Sequence, residues 1–229
     1  MPALHVVHLT PGVPVTLDPE QRAAYRSPET YGANRARELD AVLSRAGLPR
    51  DRRHRLGGAD QRCARQLVEL TWELRALLDT VAPEVLLTHP YEGGHPDHDA
   101  AAFAAQHACM RIAAAPARLE FTSYHLSDGA FACGGFLPGG PDHATTHLDE
   151  GQRGFKRELM TLYVSQRHVL AQFAPDIERF RVAPQYDFAQ PPHAPPLHYE
   201  LYAWGMDGAA FRSLATDAAL TLTTEDGCP

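Results

Sequence analysis

From Gln61 to Thr80 the apolar residues Leu67, Leu70, Leu74, Leu77 and Leu78 recur at three- and four-residue spacing, one side of a helical repeat. The pattern predicts a helix with a single core-facing stripe, broken by Pro83. A second stripe, Leu39, Val42, Leu43 and Ala46, predicts a helix from about Pro28 to Ala46. Ser27 is placed to cap it, Pro28 suits its first position and Gly47 its end. Helices are also expected from about Pro96 to Ala115, where the chain is rich in alanine, from Lys156 to Phe173, and from Gly208 to Ala219. Between them lie short apolar runs that read as strands: Leu4 to Leu9, Glu84 to Thr88, Leu119 to Tyr124 and His198 to Trp204. Asp128 to Gln152 is rich in Gly, Pro and His and is expected to be irregular. Ala183 to Pro196 is a proline-rich connection. Strands alternating with helices predict an α/β fold with a doubly wound, mostly parallel sheet, whose ligands bind beyond the carboxyl ends of the strands.

Composition narrows the classes. The chain has 229 residues, 44% apolar and 21% charged, with a net charge of -7. That length suits one sizeable α/β domain. The acidic balance and the lack of a basic stripe argue against nucleic acid as a partner. No apolar run approaches the roughly 18 residues of a membrane span. The start, MPALHVVHLTPG, has no basic segment followed by a long apolar one. Cys63, Cys109, Cys133 and Cys228 form no C-x-x-C pair, and scattered thiols fit a reducing, cytoplasmic setting.

Candidate chemistry concentrates in YEGGHPDHDA, Tyr91 to Ala100. The element follows the Glu84 to Thr88 strand and opens the Pro96 helix, which is where sites lie in such sheets. His95 falls near the helix cap and His98 on the first turn, three residues apart on one face. Neutral imidazole is a common zinc ligand, and zinc with an open position activates water. A second histidine nearby can act as an acid or donate to an oxyanion, and an aspartate can orient an imidazole. Yet 13 histidines are present, and the spacing reads equally as a polar loop. His5 and His8 read as strand histidines, His143 and His147 as solvated loop residues, and His107 as part of a helix face.

THPYEGGHPDHDA resembles the second signature of the LmbE/PIG-L family of metal-dependent N-acetylglucosamine-type deacetylases. LHVVHLTPG resembles that family's second strand and turn, and YGANRARELDAVLSRAGL its Arg-x-x-Glu-Leu helix. KRELMTLYVSQ and Glu178-Arg179-Phe180-Arg181 are similar to its C-terminal elements. The resemblance implies a Rossmann-like fold and hydrolysis of a sugar acetamide by metal-activated water. It makes His98 a metal ligand, His95 the acid or oxyanion partner, and Asp97 a group that orients the histidines. It puts Arg35 and Asp60 on the substrate-recognition side. The expected cofactor is zinc or another divalent metal. The expected partner is a glycan-like small molecule, and self-association is also possible.

The family's first signature, close to His-Pro-Asp-Asp-Glu, does not occur in these residues. The resemblance therefore implies a single domain over 1–229 that is N-terminally truncated, lacking the first strand and helix. Zinc would be weakly held by His98 without the missing ligands, and the chain as numbered would have little or no activity. The alternative is a non-catalytic binding or scaffold protein on the same fold. We expect the native protein from its source cells to have an intact mass a few kilodaltons above the 25.2 kDa of these residues. An equal mass would remove the truncation and favour the alternative.

Overall fold

The computed structural model describes residues 3–226. Along the chain run β1 (Val6–His8), α1 (Pro19–Tyr25), α2 (Pro28–Arg45), β2 (Arg53–Arg55), α3 (Leu67–Val81), β3 (Val85–Thr88) and α4 (Pro96–Cys109). There follow β4 (Ala117–Phe121), β5 (Tyr124–Ser127), β6 (Ala130–Cys133), β7 (His143–His147), α5 (Glu150–Thr161), α6 (Arg167–Leu170), β8 (Ile177–Val182) and α7 (Gly208–Asp226). The chain forms two compact units, residues 1–60 with 147–177, and residues 61–146 with 178–229.

In the first unit β1 and β2 pair in parallel, with Val7 opposite His54. The α2 helix starts as its sequence predicts: the Ser27 hydroxyl accepts the Thr30 N–H and Pro28 occupies the first turn. Its inner side buries Tyr31, Glu38 and Val42. The buried Glu38 carboxylate accepts hydrogen bonds from the Ser165 N–H (2.9 Å) and hydroxyl (2.5 Å) and from Asn34 Nδ2 (2.7 Å). Burial pushes its pKa up, but these donors outweigh burial and hold it below the usual carboxylate range. They also explain why the helix expected from Lys156 to Phe173 breaks. Ser165 turns into a short 3-10 segment (Val164–Gln166) to meet Glu38, leaving α5 and α6 on either side. His5, just before β1, stacks on His54 with ring nitrogens 2.9 Å apart.

The second unit holds a four-stranded sheet in the order β3-β4-β8-β7 and a hairpin of β5 and β6. β3 and β4 are parallel, but β4 with β8 and β5 with β6 are antiparallel. The fold is thus mixed α/β, and the mostly parallel sheet expected from the sequence is corrected. Cross-strand chemistry selects the β8 neighbour: Glu120 lies opposite Arg181, and Arg181 Nε donates to its carboxylate at 2.8 Å, both buried. α3 packs on α4 and α7. The alanines of α4 bury it on nearly every side, with Phe103 and Phe211 fully enclosed.

Other boundaries also move. The helix expected from Gln61 starts at Leu67, because Gln61 takes a positive φ of 63° and Cys63–Arg65 forms a 3-10 turn. The α4 helix stops at Cys109, in turns that lead to Pro116, which disfavours helix at Ala115. Asp128 to Gln152, expected to be irregular, contributes β6, β7 and the start of α5. His143 and His147 are exposed on β7. The strand expected from His198 to Trp204 is instead a 3-10 turn (His198–Leu201) followed by bends. The Glu200 carboxylate accepts the Leu197 and Gly208 N–H groups at 2.9 and 2.7 Å, which closes the turn locally. No helix among the described residues is long and apolar enough to cross a membrane.

His107 does lie on a helix face, stacked on Phe103 at 4.2 Å. Burial first, then Arg111 and Arg118, lowers its pKa to about 4. The unfolded chain therefore binds a proton between pH 4 and 6.5 that the folded chain excludes, so this group's stability is present above 6.5 and lost as pH falls. In urea titrations across that window, His107→Phe is expected to flatten the slope of stability against pH by up to about 1.4 kcal/mol per pH unit. An unchanged slope would show that His107 titrates normally.

Candidate active site

The β3 strand leads directly into His89, and the chain then makes a turn at Glu92–Gly94 that opens α4. The turn is held from three sides. The Asp99 carboxylate, fully buried on α4, accepts the Glu92 and Gly93 N–H groups at 3.2 and 3.1 Å. His198 donates its backbone N–H to the Gly93 carbonyl (2.9 Å) and its ring Nδ1–H to the Gly94 carbonyl (3.0 Å). Gly94 itself lies against β5, where a Cβ would stand 1.8 Å from the Tyr124 carbonyl oxygen. Gly93, at φ +70°, lies in the left-handed region.

The two motif histidines follow from this turn. His95 is the N-cap of α4, and its Nδ1 accepts the Asp97 N–H at 3.1 Å. An accepting Nδ1 places the ring proton of the neutral form on Nε2. Burial, with His89 and His198 nearby, lowers the His95 pKa to about 3, so the ring is neutral at neutral pH. His98 is one turn on. Its Nδ1 lies 3.2 Å from the Ser123 hydroxyl, and its ring stacks on His89 at 3.9 Å with 9° between planes. Burial, then His89 and His95, holds its pKa well below the ordinary value. The Asp97 carboxylate Oδ2 is 3.9 Å from His95 Nδ1. It accepts the Gln61 and Cys63 N–H groups at 2.7 and 3.1 Å. Asp97 thus touches His95 through its backbone and fastens the segment before α3 through its side chain.

Arg35 and Asp60 belong to the first unit, and His95, Asp97 and His98 to the second. Arg35 Nη1 lies 3.3 Å from Glu38, with its guanidinium over the Tyr163 ring. Asp60 accepts the Thr10 hydroxyl at 3.3 Å. Burial raises its pKa against the lowering by Thr10 and Arg35.

Several neighbours are not among the expected site residues. His89 has a buried Nδ1 without a hydrogen-bond partner, and burial lowers its pKa to about 4. Its position directly after β3 was the available clue. Glu92 Oε2 meets His125 Nδ1 at 3.1 Å, both buried. Trp204 lies 4.8 Å from His95. Ser123, His125, His198 and Trp204 lie 25 or more residues from His98, and only tertiary packing brings them to it.

The donors do not fit a catalytic zinc by themselves. Among the described residues, no group of three or more His, Cys, Asp or Glu side chains converges to hold a metal ion. The His89–His98 stack shows why: imidazole lone pairs lie in the ring plane, and two nearly parallel stacked rings do not aim them at one point. His98 remains a single donor.

Residues 2–109 match the family model PIG-L, described as GlcNAc-PI de-N-acetylase. Arg35, Asp60, His95, Asp97 and His98 all fall inside that span. Among solved structures, a deacetylase–bog complex in the biosynthesis pathway of teicoplanin aligns with a TM-score of 0.56 at 16% identity. It covers 79% of this chain and 88% of its own. The A40926 pseudoaglycone deacetylase Dbv21 aligns with a TM-score of 0.56 at 18% identity, over 80% of this chain and 87% of its own. The zinc-inhibited form of teicoplanin deacetylase Orf2 aligns with a TM-score of 0.52 at 14% identity, over 79% and 88%. At these identities the likeness shows the fold. A sequence search of curated proteins finds no match.

Gly94→Ala is expected to destabilise the protein by more than about 3 kcal/mol in chemical denaturation, since the new methyl meets a backbone carbonyl that cannot rotate away. Wild-type stability in this variant would show that the turn is not held against β5.

Proposed function

Since residues 2–109 belong to the PIG-L family, we propose that the protein is a deacetylase-type hydrolase that removes an acetyl group from an N-acetylated amino sugar or a related conjugate. The observation that carries this reading is the His95–His98 pair, set by a glycine turn at the start of α4 within the matched span. Three structural neighbours are deacetylases by name, which supports the same reaction class.

In this reading His95 acts through its Nε2–H. A neutral imidazole is a weak acid, so its role is to donate a hydrogen bond to the oxyanion that forms as the acetamide carbonyl is attacked. Asp97 holds His95 through the backbone N–H on Nδ1. His98 would be the one ligand this segment offers to zinc or another divalent ion. Such an ion would supply Lewis acidity and an activated water, and it would need donors besides His98. Arg35 and Asp60 are assigned to substrate recognition, and residues 1–229 to one domain.

The test is acetate release from N-acetylglucosamine conjugates, with zinc present, by the native protein from source cells, which is expected to turn over. His95→Ala in the native protein should lower kcat about 100- to 1000-fold, and His98→Ala should abolish activity. Full activity in His98→Ala would sink the site assignment. Saturable sugar binding without acetate release by the native protein would make it a binding protein.

A further inference from the structure

Between the 3-10 turn at His198 and α7, two aromatic side chains stand in the bends beside His95. Tyr202 and Trp204 stack with centroids 4.6 Å apart and planes 11° from parallel. Tyr202 is 45% exposed, Trp204 is half-buried, and Leu201 next to them is 59% exposed. Exposed apolar side chains scattered singly need no explanation, but two stacked rings adjoining a candidate reaction centre do. Trp204 lies 4.8 Å from the His95 ring. The pair is also tied to the glycine turn: the Tyr202 hydroxyl lies 3.4 Å from His198 Nε2, whose other nitrogen donates to the Gly94 carbonyl. Because Nδ1 carries the His198 proton, Nε2 is the acceptor and Tyr202 the donor. The tyrosine ring is thereby oriented by the same residue that fixes the turn before His95.

We propose that Tyr202 and Trp204 form a binding shelf for the saturated ring of the substrate, a pyranose, holding it so that its acetamide reaches His95. The inference rests on the deacetylase reading for what the ring carries, but not for the shelf itself. A pyranose with equatorial hydroxyls has an apolar face of axial C–H groups. Those weakly positive hydrogens complement the negative face of an aromatic ring, and covering the rings removes apolar area from water. A flat acetamide alone has no such face. The shelf therefore selects for the ring and leaves the amide to the histidines.

The protein has two tryptophans, Trp72 and Trp204. Trp72 is on α3, where its indole donates to Glu225. In a Trp72→Phe background the fluorescence reports Trp204 alone. Titration of the full chain with N,N'-diacetylchitobiose is expected to shift this emission saturably, with Kd on the order of millimolar, whereas acetamide leaves it unchanged. Tyr202→Ala should weaken binding about tenfold. Tyr202→Phe, which keeps the ring and loses only the hydroxyl, should bind within about twofold of the parent. No saturable response to the disaccharide, an equal response to acetamide, or an undiminished affinity in Tyr202→Ala overturns the shelf. Equal loss in Tyr202→Phe and Tyr202→Ala also overturns it, since the tyrosine would then act only through His198. The readout is binding, so it separates the two readings. Binding without acetate release by the native protein keeps the shelf and removes the hydrolase; acetate release with unaltered binding in Tyr202→Ala does the reverse.

Discussion

Everything proposed for the second unit depends on the approach of Gly94 to the Tyr124 carbonyl. A side chain at Gly94 would stand 1.8 Å from that oxygen, so the turn after β3 can lie against β5 only with glycine there. Close approach alone does not orient a chain. The Asp99 carboxylate gathers the Glu92 and Gly93 N–H groups from one side, and His198 gathers the Gly93 and Gly94 carbonyls from the other. Four of the turn's backbone groups are thus paired within the protein, as buried backbone requires. His95 leaves this turn as a cap whose acceptor nitrogen is already committed, and His98 follows one helical turn later.

Burial sets the electrical character of this region. It raises the pKa of Asp99, Glu92 and Glu120, and each is met by donors: two backbone N–H groups, His125 and Arg181. The same burial lowers the pKa of His89, His95 and His98. These effects act together. Low dielectric keeps the imidazoles neutral, and a neutral imidazole can present one donor and one acceptor in fixed directions. A site exposed to water would hold the same residues with less defined protonation and geometry.

Local signals in the sequence carried much of this. Ser27 and Pro28 mark the start of α2, and Pro96 behind His95 marks α4, because capping is decided within a few residues. The motif histidines could be placed at a strand-to-helix turn for the same reason. The errors have the opposite character. Gln61 to Gln66 leave the helical path because Asp97, more than 30 residues later, takes two of their N–H groups. Ser165 leaves it because Glu38 does likewise across 127 residues. The His198 turn looked like a strand because its alternation of residues is strand-like, while Glu200 ties it shut through side-chain bonds that periodicity does not register. Ser123 and Trp204 reach the site by packing, so no spacing could have marked them.

The surroundings of His98 explain how one ring can serve more than one purpose. Its plane is fixed by the stack on His89 and by the turn of α4 that carries it. Its Nδ1 faces the Ser123 hydroxyl at 3.2 Å. A hydroxyl both donates and accepts, and it rotates. When it donates, the ring proton sits on Nε2, which then offers a hydrogen bond; when it accepts, Nε2 offers a lone pair. The heavy atoms need not move for either. His95 lacks that freedom, because a backbone N–H only donates and therefore fixes its tautomer. The two histidines of the motif are therefore inequivalent for a physical reason: one is committed as a donor on Nε2, and the other can present a lone pair. That asymmetry is what a donor to an oxyanion and a ligand to a cation would each require.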